Sequence, residues 1–341
     1  MSAALIIHQA GPSLTVQDLG RSGTLAFGLS RGGAADRFAL AEGAALLGQS
    51  DGTACIEMAG MGGMFEVTAD CRIALTGAPM RASIYGTRLV WHASHLLPAG
   101  ARLSIGAAER GTYGYLHIGG GIATPPILGA RATHLAAGIG APLAAGDRLP
   151  LGADTGTRTG MTFDPEPRFS GGAIRLVPSL QTDLFSPAER TRFTATTFTR
   201  DTRGNRMGVP LPSDGAGFHS EGGLSVLSEV IVPGDVQITG DGTPFVLLSE
   251  CQTTGGYPRI GAVLPADLPR VAQARAGDTL RFSFVTLDEA RAIETRAAEA
   301  CAKLPRLLRP LIRDPHSISD LLAYQLISGV TAGDDLERNT P

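Results

Sequence analysis

The sequence predicts a mainly β protein made of two similar domains in tandem, with a few short helices and a helical C-terminal extension. Three observations carry this. The apolar segments are short, β-branched or alternating, and end at Gly, Pro or Asp: "FEVTAD", "RIALTG", "ASIYG", "RLSIG", "GYLHIGG", "AIRLVPS", "DVQITGDG", "PFVLLSE", "DTLRFSFV". That is the rhythm of antiparallel strands in a barrel or sandwich. A chain of 341 residues is long enough to bury two cores. The halves also repeat one plan. "PAGARLSIG" leads through "YGYLHIGGGIATPPILGA" and "ATHL" to "AGDRLPL"; "VPGDVQITG" leads through "PFVLLSECQTTGGYPRIGA" and "PADL" to "AGDTLRF". Each half reads as Pro-Gly strand, turn, apolar strand, Gly-Gly crossing, Gly-Ala strand, short helical segment and Ala-Gly-Asp strand, a tandem duplication.

Taken in order, residues 1–155 form the first domain. Its one marked helix is "AADRFALAEGAALLG", where apolar residues recur at helical spacing. Gly152–Gly172, rich in Gly, Thr and Pro, reads as the linker. Residues 173–286 form the second domain, in which "SPAER" sets Ser186 as N-cap, Pro187 in the first turn and Glu189 to complete a capping box. Residues 287–341 are the extension. "TLDE" opens a helix through "ARAIETRAAEACAKL", "SISDLLAYQLI" predicts another, and "TAGDDLERNTP" a polar tail.

Composition excludes several functions. The net charge is −3 and Lys303 is the sole lysine, so no basic field awaits nucleic acid and no phosphate loop with its lysine is present. There is no G-x-S-x-G elbow. Cys55, Cys71, Cys251 and Cys301 show neither zinc nor disulfide spacing, which predicts a reduced, cytoplasmic setting. "MSAALIIHQAGPS" has no positive leader and no run is long enough to span a membrane. In "WHASH", His92 and His95 would point to opposite faces of a strand, a poor metal pair.

Three polar clusters remain. In "SRGGAADRF", Arg31 and the amides before a helix that starts near Asp36 could hold an anion, although a glycine turn with an N-cap aspartate uses the same residues. In "NRMGVPL" and "FHSEGG", Arg206 and Glu221 could supply a cation and a base, or could be solvated loops. In "QTTGGYPRI", Gln252, Thr253 and Thr254 offer amide and hydroxyl groups, and Gly255–Gly256 could form an anion nest walled by Tyr257 and charged by Arg259.

The ordered set "TVQDLGRSG", "SRGGAADRFAL", "NRMG", "SEGG", "QTTGGYP" resembles the C-subunit family of bacterial 5-oxoprolinase over about residues 5 to 290. This family is similar to part of the carboxyltransferase domain of urea carboxylase and is also labelled allophanate hydrolase subunit 2. The chain departs from the family pattern at Asn205, Pro210 and Arg259.

The resemblance implies two cyclophilin-like β-barrel domains. It also implies a cytoplasmic hetero-oligomer with a smaller cyclophilin-like B subunit and a third subunit, which opens 5-oxoproline to glutamate at the expense of ATP, with magnesium at a site these residues do not locate. On that reading Glu221, Arg206, Gln252 and Asp36 are the catalytic residues. Arg31, Met207, Gly208, Ser220, Thr253, Thr254, Gly255, Gly256, Tyr257 and Arg259 bind substrate, and no metal is held by this chain. Two alternatives stay open: a biotin-dependent carboxyltransferase component whose biotin sits on a partner, and a regulatory module that binds a kinase-inhibitor-like subunit.

Overall fold

The computed structural model describes residues 3–223 and 226–312. The fold is mainly β, with four α-helices among the described residues. A six-stranded sheet and a seven-stranded one, the latter taking two short strands from beyond the first domain, curl around one first-domain core of Leu5, Ile56, Phe65, Ile73, Leu103 and Leu116. Strand Arg102–Ala108 shows how the pattern produces this: Leu103 and Ile105 are buried while Arg102 and Ser104 are exposed. The second domain is a seven-stranded sheet plus a two-stranded pair. Its core contains Phe193, Phe198, Phe218 and Phe282, with ring centroids 5.0–5.7 Å apart.

In pairing the halves differ, since strands Arg102–Ala108 and Tyr113–Ile118 lie in different sheets while Asp235–Ile238 and Pro244–Leu247 pair in one, but in element order they follow the repeated plan with one exception. Strand Arg259–Val263 of the second domain has no strand counterpart in the first, where residues 121–130 form a loop with isolated bridges at Ile122 and Ile127. The short helical segments are a 3-10 turn at Leu135–Ala137 and an α-helix at Leu268–Gln273.

The helix expected after "AAD" spans Arg37–Leu47, capped by the Asp36 carboxylate on the Ala39 N–H. Thr286 and Glu289 form the full capping box that starts helix Leu287–Leu307. Ser186 does cap its helix, but Glu189 turns to Arg192 at 2.7 Å instead of reaching back, so that box is half made. The segments "SISDLLAYQLI" and "TAGDDLERNTP" lie outside the described residues.

The expected linker is more than a connection. Met161–Thr162 extends the first domain's sheet beside Ala93, and Arg309–Pro310 pairs with it from beyond the second domain. Arg168, in the same segment, is buried with its guanidinium on Glu42 at 2.7 and 2.9 Å and on Asp36 at 2.7 Å. One apolar cluster joins Ala39, Leu40, Cys55, Tyr113 and Tyr115 of the first domain to the core of the second.

Candidate active site

Most of the residues singled out by sequence fall in two places. The first is the seam between the domains. Arg206, which follows Asn205 into strand Gly208–Pro210, is buried. It donates to Glu250 at 2.5 Å, to the Gly33 carbonyl at 2.5 Å and to Glu57 on strand Cys55–Ala59. Burial alone would lower the pKa of Arg206, but Glu57 and Glu250 more than offset this and push it up. The remaining carboxylate oxygens are also served. Glu57 accepts from Tyr115 Oη at 2.7 Å and the Ala35 N–H at 2.8 Å, and Glu250 from the Ala136 N–H at 3.1 Å.

Asp36 belongs to the same seam. It is fully buried, caps its helix, and accepts from Arg168 and from Gln273 Nε2 at 2.8 Å; Gln273 in turn accepts from the Thr112 and Tyr113 N–H groups. The helix N-terminus read as an anion site is thus already served by the chain's own carboxylate. Arg31 donates to the Leu19 carbonyl at 2.7 Å.

The second place is a cavity of about 710 Å³ on the second domain. Of the predicted residues, Met207, Gln252, Gly255, Gly256 and Tyr257 line it. Gly208 lies behind it, where a Cβ would fall 2.1 Å from the ring of Phe245, itself in the wall. Thr253, Thr254, Ser220 and Glu221 do not line it. Glu221 is exposed, with its N–H on the Leu184 carbonyl, and Ser220 Oγ donates to the Gly223 carbonyl at 2.6 Å.

Two expectations change here. Arg259 does not line the cavity and is occupied by Glu229 at 2.5 Å, Asp235 at 3.2 Å and the Val230 carbonyl at 3.1 Å. Gly255 and Gly256 do not form a nest, which needs a left-handed residue: neither has positive φ, and Thr254–Gly255 is a strand paired with Glu229–Val230. The Gly255 position is tight because of its neighbours, since a Cβ would meet Gln237 Nε2 at 2.6 Å and Ile231 Cδ1 at 2.9 Å.

The cavity adds residues that sequence reading passed over. Arg203 is its sole cationic wall residue among those described, three positions before the Arg206 that drew notice in "DTRGNRMG". Asp241 is held below the usual carboxylate range by hydrogen bonds from Thr239 Oγ1 and the Thr243 N–H, and stays ionised. Cys251 is pushed up to about 12 by burial and by Asp235, which leaves its thiol protonated and unsuited to act as a nucleophile. Gln237 also lines the wall. Among the described residues, no group of three His, Cys, Asp or Glu could hold a metal ion, and no helix is long and apolar enough to cross a membrane.

Two domains joined by a buried ionic seam, with the open cavity in the second, place the chain in a defined class. Residues 27–284 match the model of the carboxyltransferase domain, subdomain A and B, and the chain belongs to this family. It is 34% identical over 280 residues to the 5-oxoprolinase C subunit of Haemophilus influenzae, covering 81% of this chain and 89% of that protein. It is 34% identical over 292 residues to the 5-oxoprolinase C subunit of Escherichia coli, covering 84% and 93%. Among solved structures, the K. lactis urea amidolyase superposes with a TM-score of 0.79 at 22% identity, over 92% of this chain but 21% of that one, which shows the shared fold.

Proposed function

We propose that the chain is the C subunit of a 5-oxoprolinase. With partner subunits in a cytoplasmic hetero-oligomer, it would open 5-oxoproline to glutamate at the expense of ATP, and its second-domain cavity would hold the small amide. The observation that carries this is the convergence of Met207, Gln252, Gly255, Gly256 and Tyr257 on one cavity, in a chain 34% identical to two 5-oxoprolinase C subunits.

Within that reading the residue roles shift. Arg203 takes the part of carboxylate holder: its Nε and Nη2 lie on Asp201 at 2.9 and 3.0 Å, but it stands exposed at the cavity wall with Nη1 unengaged among the described residues, whereas Arg206 and Arg259 are buried on the chain's own acids. Gln252, exposed in the wall, donates to the carbonyl oxygen as charge develops there. Asp36 works as a structural cap and ion-pair partner. The cavity does not suit ATP: Arg203 is the only cation in its described wall, against an ionised Asp241. On this reading the nucleotide binds outside this cavity, and no step here runs through it.

The test is reconstitution with partner subunits and measurement of 5-oxoproline-dependent ADP release. Omitting this chain abolishes release, and Gln252→Leu lowers it on the order of 10²-fold, the cost of one oxyanion-stabilising donor. Full turnover without the chain overturns the proposal. The likeness to a urea amidolyase supports a second reading, carboxyl transfer to an amide. A biotinylated protein in the co-purified complex, detected by avidin blotting, would favour that instead.

A further inference from the structure

Gln237 sits on strand Asp235–Ile238, where Val236 and Ile238 face the core, so Asp235 and Gln237 share the other face. Asp235 is well supplied there, by Arg259 at 3.2 Å and by the Val232 N–H at 3.0 Å. Gln237 is not. It is 6% exposed, it lines the cavity, and its Nε2 is buried without a hydrogen-bond partner among the described residues. An amide left in that state costs free energy that a folded protein ordinarily avoids.

The surroundings maintain the situation. The pairing with strand Arg259–Val263 slips by one residue between Val236 and Gln237, so that Ile260 is left over as a bulge, a device that re-aims a side chain. Nε2 packs against the backbone of Gly255, where any Cβ would fall 2.6 Å from it, so the amide meets a ligand by turning its edge out into the cavity.

We propose that Gln237 selects the occupant of this cavity by pairing edge to edge with ligands that present an N–H and a C=O on the same side: lactams, ureas and primary amides. A carboxamide carries one donor and one acceptor side by side, and its terminal torsion is soft enough to turn that edge. A lactam ring holds its amide cis, so its N–H and C=O match that edge in two parallel hydrogen bonds. A trans peptide bond points the two groups in opposite directions, and an N-alkylated lactam lacks the donor. Peptides and N-alkyl amides would leave Gln237 half unpaired. The inference rests on reading the cavity as a small-amide site.

The full chain with ¹³C-methyl methionine reports binding through the Met207 methyl in the cavity wall. The probes are 2-pyrrolidone, urea, N-methyl-2-pyrrolidone and acetamidinium. Wild-type protein is expected to bind 2-pyrrolidone about tenfold more tightly than its N-methyl derivative, the low end of what an unpaired buried polar group costs. Gln237→Met, of similar shape, binds the two lactams alike. Gln237→Glu, which offers acceptors only, turns its preference to acetamidinium with its two donors on one edge. Equal binding of the lactams by wild type, an unchanged ratio in Gln237→Met, or no movement of the Met207 signal with any probe overturns the inference. Lactam discrimination without 5-oxoproline turnover by the reconstituted complex would instead sink the proposed function and leave the role of Gln237 standing.

Discussion

Two glycine pairs stand at corresponding places in the repeated plan, Gly120–Gly121 after strand Tyr113–Ile118 and Gly255–Gly256 in the crossing that follows strand Pro244–Leu247. In the first domain both have positive φ, 79° and 71°, and the chain closes on them: a Cβ at Gly120 would fall 2.4 Å from the Gly152 carbonyl, and one at Gly121 2.2 Å from Thr53. In the second domain the backbone runs on as a strand edge, and the glycines border open space. The same dipeptide is a sealed turn in one copy and a cavity wall in the other. What distinguishes the copies is the neighbours: residues 152–154 fill the place in the first domain, and only the second keeps it open for a ligand.

The difference between a sealed and an open region can be broken first through arginines. Arg206→Met strands Glu57 and Glu250 in the seam and should cost about 3–5 kcal/mol in urea unfolding, as when one partner of a buried pair is removed. Arg203→Met, at the exposed cavity rim, should cost about 1 kcal/mol or less. Equal losses would erase the distinction. The glycines give a second, smaller contrast. Gly120→Ala should cost about 2–4 kcal/mol, from a left-handed backbone plus a clash with backbone. Gly255→Ala meets the movable end of Gln237 and should cost about 1 kcal/mol by the same unfolding measurement.

Acid sharpens the comparison from another side. His92 and His117 are both in the first domain. Burial lowers His117 to about 3, and burial together with the Arg168 charge lowers His92 to about 4, against 6.5 for the free side chain. The unfolded chain therefore binds protons below pH 6.5 that the folded chain refuses. Stability is fully present above 6.5 and falls as pH drops toward 4, by roughly 1.4 kcal/mol per pH unit for each histidine. Unfolding midpoints between pH 7 and 5 measure this, and His117→Asn should make the slope shallower without abolishing it, because His92 and the likewise lowered His95 and His134 still contribute.

How much of this could be read in advance depended on sequence distance. The Thr286 capping box, the Asp36 cap and the strands were legible because caps and alternation are local. The roles of Arg206 and Asp36 were not: their partners lie far along the chain, Glu57 being 149 positions from Arg206 and Gln273 237 from Asp36. A reactive-looking arginine and one committed to the fold are identical as letters. Gln237 was passed over for the converse reason, since its significance is a missing partner, which only the assembled sheet reveals.

The return of Arg309–Pro310 to Met161–Thr162 makes the second domain a loop tied off at its neck by the first domain's sheet. With the ionic seam and the shared apolar cluster, both ends of that domain are fastened to the same body. Among the described residues the two halves are thus held to each other at three separate places. A protease nick in an exposed turn such as Asp214–Ala216 would break the covalent chain without releasing a fragment, and a partner that grips either half would move both.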